Sequence, residues 1–244
     1  FILLFIGMII TCSMIGQEKT DSVKNFKNTI RMNVTNPMLF GERNIIFGYE
    51  RVFKNNQSIT ANVGRISFPK WKTFNTDSIS LDADSKDKGF TVALDYRFYL
   101  KKENKYEAPR GVYLGPYYSF NYFNRVNSWT LDEQNTSQML STDITLKMNL
   151  IGVQLGYQFV LWKRLAIDLV LLGPGKWFYN INVDMNSNLS SENEQMVFDK
   201  INAAIDSKVP GNTIDIKPFE IKKKSSTSSS TGRFRYVMHI GFRF

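Results

Sequence analysis

The chain is short of the residues on which most compact chemistry depends. It has one cysteine, Cys12, and one histidine, His239, in 244 residues. A single cysteine closes no intrachain disulfide, and one histidine with one cysteine cannot assemble a metal cluster. No segment after the first 16 residues approaches the roughly 20 consecutive apolar residues that a spanning helix needs. The formal net charge is +9, but the basic residues are dispersed. Zinc-ligand spacing, a helix-turn-helix pattern and an RNP-like motif are all missing, which argues against a nucleic-acid partner. Scattered positive charge suits anionic lipid headgroups instead.

Residues 1–16 carry no charge and then break into Gln17, Glu18 and Lys19. That run is too short to span a bilayer and is expected to be the apolar core of an N-terminally truncated export signal, cleaved after Gly16. Cys12 offers a second reading as a lipoprotein anchor, with a poor match to that pattern. Removal of the leader would leave no thiol. Residues 17–28 then form a short N-terminal segment, and 29–244 the folded domain.

What is abundant is aromatic: 19 Phe and 11 Tyr, which suit strands and membrane interfaces. The last twelve residues show why this matters. Phe234, Tyr236, Met238, Ile240, Phe242 and Phe244 share one face of an extended strand. Arg233, Arg235, Val237, His239, Gly241 and Arg243 share the other. A strand that seals a transmembrane barrel has this character, with lipid outside and polar filling within.

About eight segments alternate with period two. The first, near 29–35, places Ile30, Met32 and Val34 on one face. The second, near 44–53, opposes Ile45, Phe47 and Tyr49 to Gly48 and Glu50. The third, 58–68, is the least regular, and Arg65 suits neither face. In the fourth, Phe90, Val92, Leu94, Tyr96, Phe98 and Leu100 oppose Thr91, Ala93, Asp95, Arg97 and Tyr99. The fifth opposes Val112, Leu114, Pro116, Tyr118, Phe120 and Tyr122 to Tyr113, Gly115, Tyr117, Ser119 and Asn121.

The sixth, 142–162, changes phase. Ile144, Leu146, Met148 and Leu150 hold one parity, while Val153, Leu155, Tyr157 and Phe159 hold the other. A β-bulge near Ile151 is predicted to reconcile them. The seventh, 164–184, is expected to turn Leu165, Ile167, Leu169, Leu171, Trp177, Tyr179 and Ile181 outward, and the eighth is the C-terminal strand.

The expected fold is an all-β, eight-stranded antiparallel up-and-down transmembrane barrel. Connections after strands two, four and six are short; those after three, five and seven are predicted at about 20, 15 and 45 residues. That asymmetry matches outer-membrane barrels, whose long loops face outward and whose termini are periplasmic. The last loop is expected to hold a helix over 191–209, opened by a capping box at Ser191–Glu194 and ended by Pro210 and Gly211. An extended piece over 214–224 and a Ser/Thr run at 225–231 follow.

A soluble lipocalin-type barrel would turn the apolar faces inward instead. Roughly forty large side chains would then have to fit an interior barely wide enough for eight strands' own residues. Small residues such as Gly48, Ala93, Gly115, Ser119, Gly152, Gly156, Ala166 and Gly241 sit on the polar face, as a crowded interior requires.

Glu50, Asp95, Arg97, Asp168, Arg235, His239 and Arg243, with Gln158, are expected to form an interior charge network. Paired charges would plug the barrel, because a dry interior requires a partner for each. A proton or solute path through the same groups is the functional alternative. Catalysis is not expected: His239 has no Ser or acid after it to complete a lipase-like set, although a lipid-modifying barrel enzyme is a third reading. Asp82, Asp84 and Asp87 could hold calcium but suit a solvated loop better. Lys222, Lys223 and Lys224 could meet lipopolysaccharide phosphates. No cofactor is expected.

The segments Phe47–Phe53, Tyr96–Leu100, Arg110–Tyr117, Gly152–Tyr157 and Leu171–Gly175, closed by Gly241–Phe244, resemble an uncharacterised family of Bacteroidota outer-membrane barrels. That family is similar in architecture to the OmpX, OmpW and OmpA membrane barrels. The resemblance implies an integral outer-membrane location and delivery to the barrel-assembly machinery through Tyr236, Met238, Ile240, Phe242 and Phe244. Contact with outer-membrane lipids and lipopolysaccharide is expected, and the long loops could meet an extracellular partner. The resemblance does not extend to the soluble peptidoglycan-binding domain of OmpA, and none is expected. The role expected is structural or surface-interacting, with a narrow OmpW-like channel for small hydrophobic solutes as the alternative.

Overall fold

The computed structural model describes residues 26–54, 56–67, 79–81, 86–133, 136–186, 199 and 225–244. The leader with Cys12, Asp82 and Asp84, all of the predicted 191–209 helix but residue 199, and the stretch 214–224 with its three lysines lie outside them. The elements are β1 (Asn28–Asn33), α1 (Thr35–Phe40), β2 (Ile45–Lys54), β3 (Gln57–Arg65), β4 (Ile79–Leu81), β5 (Lys86–Tyr99), β6 (Gly111–Glu133), β7 (Thr136–Leu161), β8 (Leu165–Asn186) and β9 (Ser225–Arg243).

Eight of these strands form a closed antiparallel ring, β1-β2-β3-β5-β6-β7-β8-β9 and back to β1. Closure leaves no sheet edge around the lower wall. It is completed by β1 against β9, in register from Thr29 opposite Arg243 to Asn33 opposite His239. Asn28 and Phe244 add two backbone hydrogen bonds, of 3.2 and 2.9 Å, at the same end. Asn28 and Phe244 therefore share the end that carries the short β2–β3, β5–β6 and β7–β8 connections. β4 stands outside the ring, paired to the far part of β6.

The wall is uneven in height. β1 has 6 residues and β3 has 9, whereas β6 has 23 and β7 has 26. The pairing of β6 with β7 runs unbroken from Gly111–Gln158 to Glu133–Thr136. The predicted 15-residue fifth loop is thus a tall hairpin, because its polar residues continue the ladder above the apolar zone. Likewise, the Ser/Thr run at 225–231 belongs to β9, paired along the upper part of β8. The small helix of the described residues is α1, in the first connection, where none was predicted. Asn33 Oδ1 accepts from the Asn36 N–H at 2.9 Å, and Asn44 Nδ2 donates to the Phe40 carbonyl at 2.8 Å, which pins both ends of this short turn.

Two face assignments from the sequence are corrected. No bulge interrupts β7 at Ile151, where Tyr118–Ile151 follows directly on Ser119–Leu150. Ile144, Leu146 and Leu150 are buried, and so are Gln154 and Gln158 of the same parity. The strand keeps its phase while the polarity of its surroundings changes: apolar side chains line the upper interior and polar ones the lower. The bulge lies in β8 instead. Between Val170 and Gly173, β8 advances three residues while β9 advances two, from Val237 to Arg235. Leu171 and Leu172 both face out, at 45% and 41% exposure. Tyr179 and Ile181 consequently point inward and are buried, opposite to expectation, and Trp177 shares their parity. Arg65 ends β3 on the exposed side.

The outer face carries Ile30, Phe47, Ile59, Val63, Leu94, Leu114, Val153, Phe234, Ile240 and Phe242, all exposed. From Phe244 to Phe234 the apolar positions on β9 span ten residues. At about 3.3 Å per residue and a tilt of about 40°, that is a band roughly 25 Å tall. Aromatic pairs mark both margins. Phe53, Tyr96 and Phe98 cluster near the short-turn end, with centroids 5.7 and 4.7 Å apart, and Phe90 meets Phe120 and Tyr122 near the other. Trp162, in the β7–β8 turn, is 85% exposed.

Candidate functional site

Alternation fixes which side chains can meet inside the ring. In register, Glu50 stands beside Thr60, Thr60 beside Asp95, and Arg31 beside Gly48. Each of the eight ring strands sends at least one polar group into the lower interior.

Asp168 is the hub. It accepts from Arg97 Nη2 at 2.7 Å, Arg31 Nη1 at 2.9 Å and the Tyr113 hydroxyl at 2.6 Å, with His239 Nδ1 at 3.2 Å. Asp95 accepts from Arg235 Nη1 at 2.9 Å and from the Thr60 hydroxyl at 2.8 Å, and lies 3.4 Å from Arg31 Nη2. Glu50 accepts from Ser58 at 2.7 Å and from Tyr99 and Gln158 Nε2 at 3.0 Å each, with Arg97 Nη1 at 3.6 Å. Three carboxylates thus face three guanidiniums. The side chains of Glu50, Asp95 and Arg97 have no exposed surface, and that of Arg31 only 2%. Arg97 also stacks over the Tyr113 ring, 4.3 Å from its centroid.

Glycine makes the close approach possible. A side-chain carbon at Gly48 would overlap Asn62 Oδ1 and press on Arg31 Cγ at 3.0 Å. Without it, Arg31 lies flat along the wall and donates through Nε and Nη2 to Asn62 Oδ1, at 3.2 and 3.0 Å. Gly156 does the same for the Tyr113 ring.

Of the residues named from sequence, Glu50, Asp95, Arg97, Asp168, Arg235 and His239 come together. Arg243 lies at the base, donating to the Phe26 carbonyl at 2.6 Å and interacting electrostatically with Glu50. Arg31, Tyr99 and Tyr113 are members that the sequence reading did not name. Their signal was present: Ile30 and Met32 facing out require Arg31 to face in. Tyr236, Ile240, Phe242 and Phe244 lie exposed along the outer face of β9. Asp87 pairs with Arg125 at 3.5 Å.

Above this layer the interior changes character. A cavity of about 500 Å³ occupies the upper half, with Ile46, Phe123, Ile144, Leu146 and Ile181 among its walls. Its lining carries Arg233, Arg235 and His239 and no carboxylate among the described residues. The lower interior is filled and ion-paired; the upper is hollow and mostly apolar.

No family model matches the sequence, and no curated protein matches it. Among solved structures, a similar chain is a major outer membrane protein from Thermus thermophilus, 11% identical. The match covers 89% of this chain and 99% of that one, with a TM-score of 0.39. A likeness of that degree transfers nothing to this protein, and the fold rests on the strand pairing described above. Among the described residues, no helix is long and apolar enough to cross a membrane.

Proposed function

We propose that this chain is an integral outer-membrane β-barrel with a structural or surface-interaction role, closed to ions by its interior charge layer. The observation that carries the reading is the inversion of polarity across one closed wall. Phe47, Leu94, Val153 and Phe242 are exposed outside, while Glu50, Asp95, Arg97 and Asp168 are buried within. A water-soluble barrel gains nothing by this arrangement, since hydration of the outer band is unfavourable at about 25 cal/mol per Å². In hydrocarbon the cost disappears, and closure of the ring by β1 on β9 removes the open sheet edge that lipid could not satisfy. The height of the band and its aromatic margins fit a bilayer core. The Bacteroidota family resemblance and a periplasmic position for both termini belong to this proposal, as does a non-catalytic role.

The test is reconstitution of the purified protein. It is expected to need detergent or lipid, to run as a heat-modifiable band, and to be electrically silent in planar bilayers. Steady conductance would overturn the closed reading in favour of a channel. A monomer freely soluble in buffer would overturn the membrane reading itself.

A further inference from the structure

Among the described residues, the uneven wall leaves a side opening. β1 stops at Asn33, opposite His239. The last links across that seam are Val34 N–H to the Met238 carbonyl, 2.9 Å, and Met238 N–H to Thr35 Oγ1, 2.7 Å. Beyond them β9 runs on through Ser225, and among the described residues its ladder continues to β8 alone. A short helical turn, α1, begins at Thr35, the position of an eighth residue had β1 continued. Its Met38, Leu39 and Phe40 are 76%, 69% and 51% exposed.

The cavity reaches this gap. It is bounded by Leu39 and Phe40 of α1, and by Phe234 and Tyr236, which belong to the outward face of β9. Among the described residues, the cavity lining thus extends to side chains of the outward face. Phe234 and Tyr236 lie in the apolar band, so the opening faces the medium around the barrel at the band's upper margin.

The lining states what would fit. About 500 Å³ lies within the range of sites for small organic ligands, about 300–1,000 Å³. The walls are aliphatic and aromatic. Of the titratable lining, Arg235 is paired with Asp95 at 2.9 Å and His239 with Asp168 at 3.2 Å; Arg233 adds a further cation, and no Asp or Glu is among the described lining residues. Asn62, 4% exposed at the floor, uses its oxygen for Arg31 and leaves Nδ2 without a hydrogen-bond partner; Trp177 Nε1 on the wall is likewise buried and unpartnered. Buried donors without acceptors are costly and call for an acceptor. An apolar tail with an anionic, hydrogen-bond-accepting head meets all of these features.

We infer that the upper cavity binds one single-chain carboxylate amphiphile of the fatty-acid class, exchanged with the surrounding membrane through the gap between β9 and α1. The inference deepens the proposed function and rests on its membrane reading. The ion-paired layer then acts as the floor of a binding site rather than as a plug alone.

Trp177 reports on the site directly. With Trp71, Trp129 and Trp162 replaced by Phe, the remaining indole is followed in nanodiscs of unbrominated phospholipid as a dibrominated stearic acid is added. Saturable quenching at one acid per barrel is expected. The methyl ester of the same acid should bind about tenfold more weakly, because it loses a charge-assisted hydrogen bond. Arg233→Gln should narrow that difference. Ala93→Phe and, independently, Val237→Phe fill the cavity and should abolish saturation while heat-modifiable migration is retained; two sites guard against one variant failing to fold. Quenching that rises in proportion to the acid in the membrane and ignores both fillings overturns the inference. A barrel that inserts but shows this behaviour leaves the proposed function standing, whereas a chain that never enters nanodiscs overturns both.

Discussion

Asp168→Asn is the most informative perturbation of the interior layer. The carboxylate accepts from two guanidiniums and a phenol within 2.6–2.9 Å and faces His239 at 3.2 Å. The amide that replaces it keeps one acceptor oxygen and loses the charge. Arg97 is left with Glu50 at 3.6 Å and Asp95 at 3.8 Å, and Arg31 with Asp95 at 3.4 Å, distances at which pairing is weaker. Water cannot compensate, since the Arg97 side chain has no exposed surface. Loss of about two charge-assisted hydrogen bonds, each worth about 1.5–3 kcal/mol, agrees with the roughly 3–5 kcal/mol that accompanies breaking a buried pair. The assay is reversible urea unfolding in lipid vesicles, followed by the heat-modifiable band. Arg97→Met combined with Asp168→Asn should cost clearly less than the sum of the two single changes, because residues in one network couple. A loss below about 0.5 kcal/mol for Asp168→Asn, or strict additivity of the pair, would refute the claim that these charges hold each other in place.

Leu94, 49% exposed on the outer face, should not tolerate charge: Leu94→Arg is expected to cost about 2–4 kcal/mol near the bilayer midplane, and Ala93→Ser far less. Equal folding yields of the two in vesicles would reverse the assignment of faces. The β8 bulge predicts that Ile181→Lys, which buries an unpaired charge, destabilises by at least about 2 kcal/mol, whereas Asn180→Lys stays within about 0.5 kcal/mol. The opposite order in urea melts would return the bulge to β7. Deleting Phe244, whose backbone closes the ring against Asn28, should lower the fraction of heat-modifiable protein in isolated outer membranes; unchanged yield would argue against its part in assembly.

Much of this protein is legible from alternation alone. Period two identifies the strands, the number of faces and the polarity of each. It places Glu50, Arg97 and Asp168 on the same side of their strands before any pairing is known. Arg31 was equally accessible, since its neighbours Ile30 and Met32 claim the outward side. A local pattern determines such features because a strand's side chains point by parity, whatever lies across from them. What it cannot determine is which medium lies on each side at each height. Ile144 to Leu150 and Tyr179 to Ile181 face inward above the charge layer; sequence alone reads the first set across a slip near Ile151 and the second as outward in unbroken phase. Only the pairing of β8 with its two neighbours, β7 and β9, locates the extra residue at Leu171–Leu172. Distances such as Asp168 to Arg31 join strands that β9 separates, so they exist only once the ring has closed. The same holds for the cavity and its side opening: they follow from β1 ending at Asn33 while β9 continues, and a difference in height between two walls belongs to no single segment of the chain.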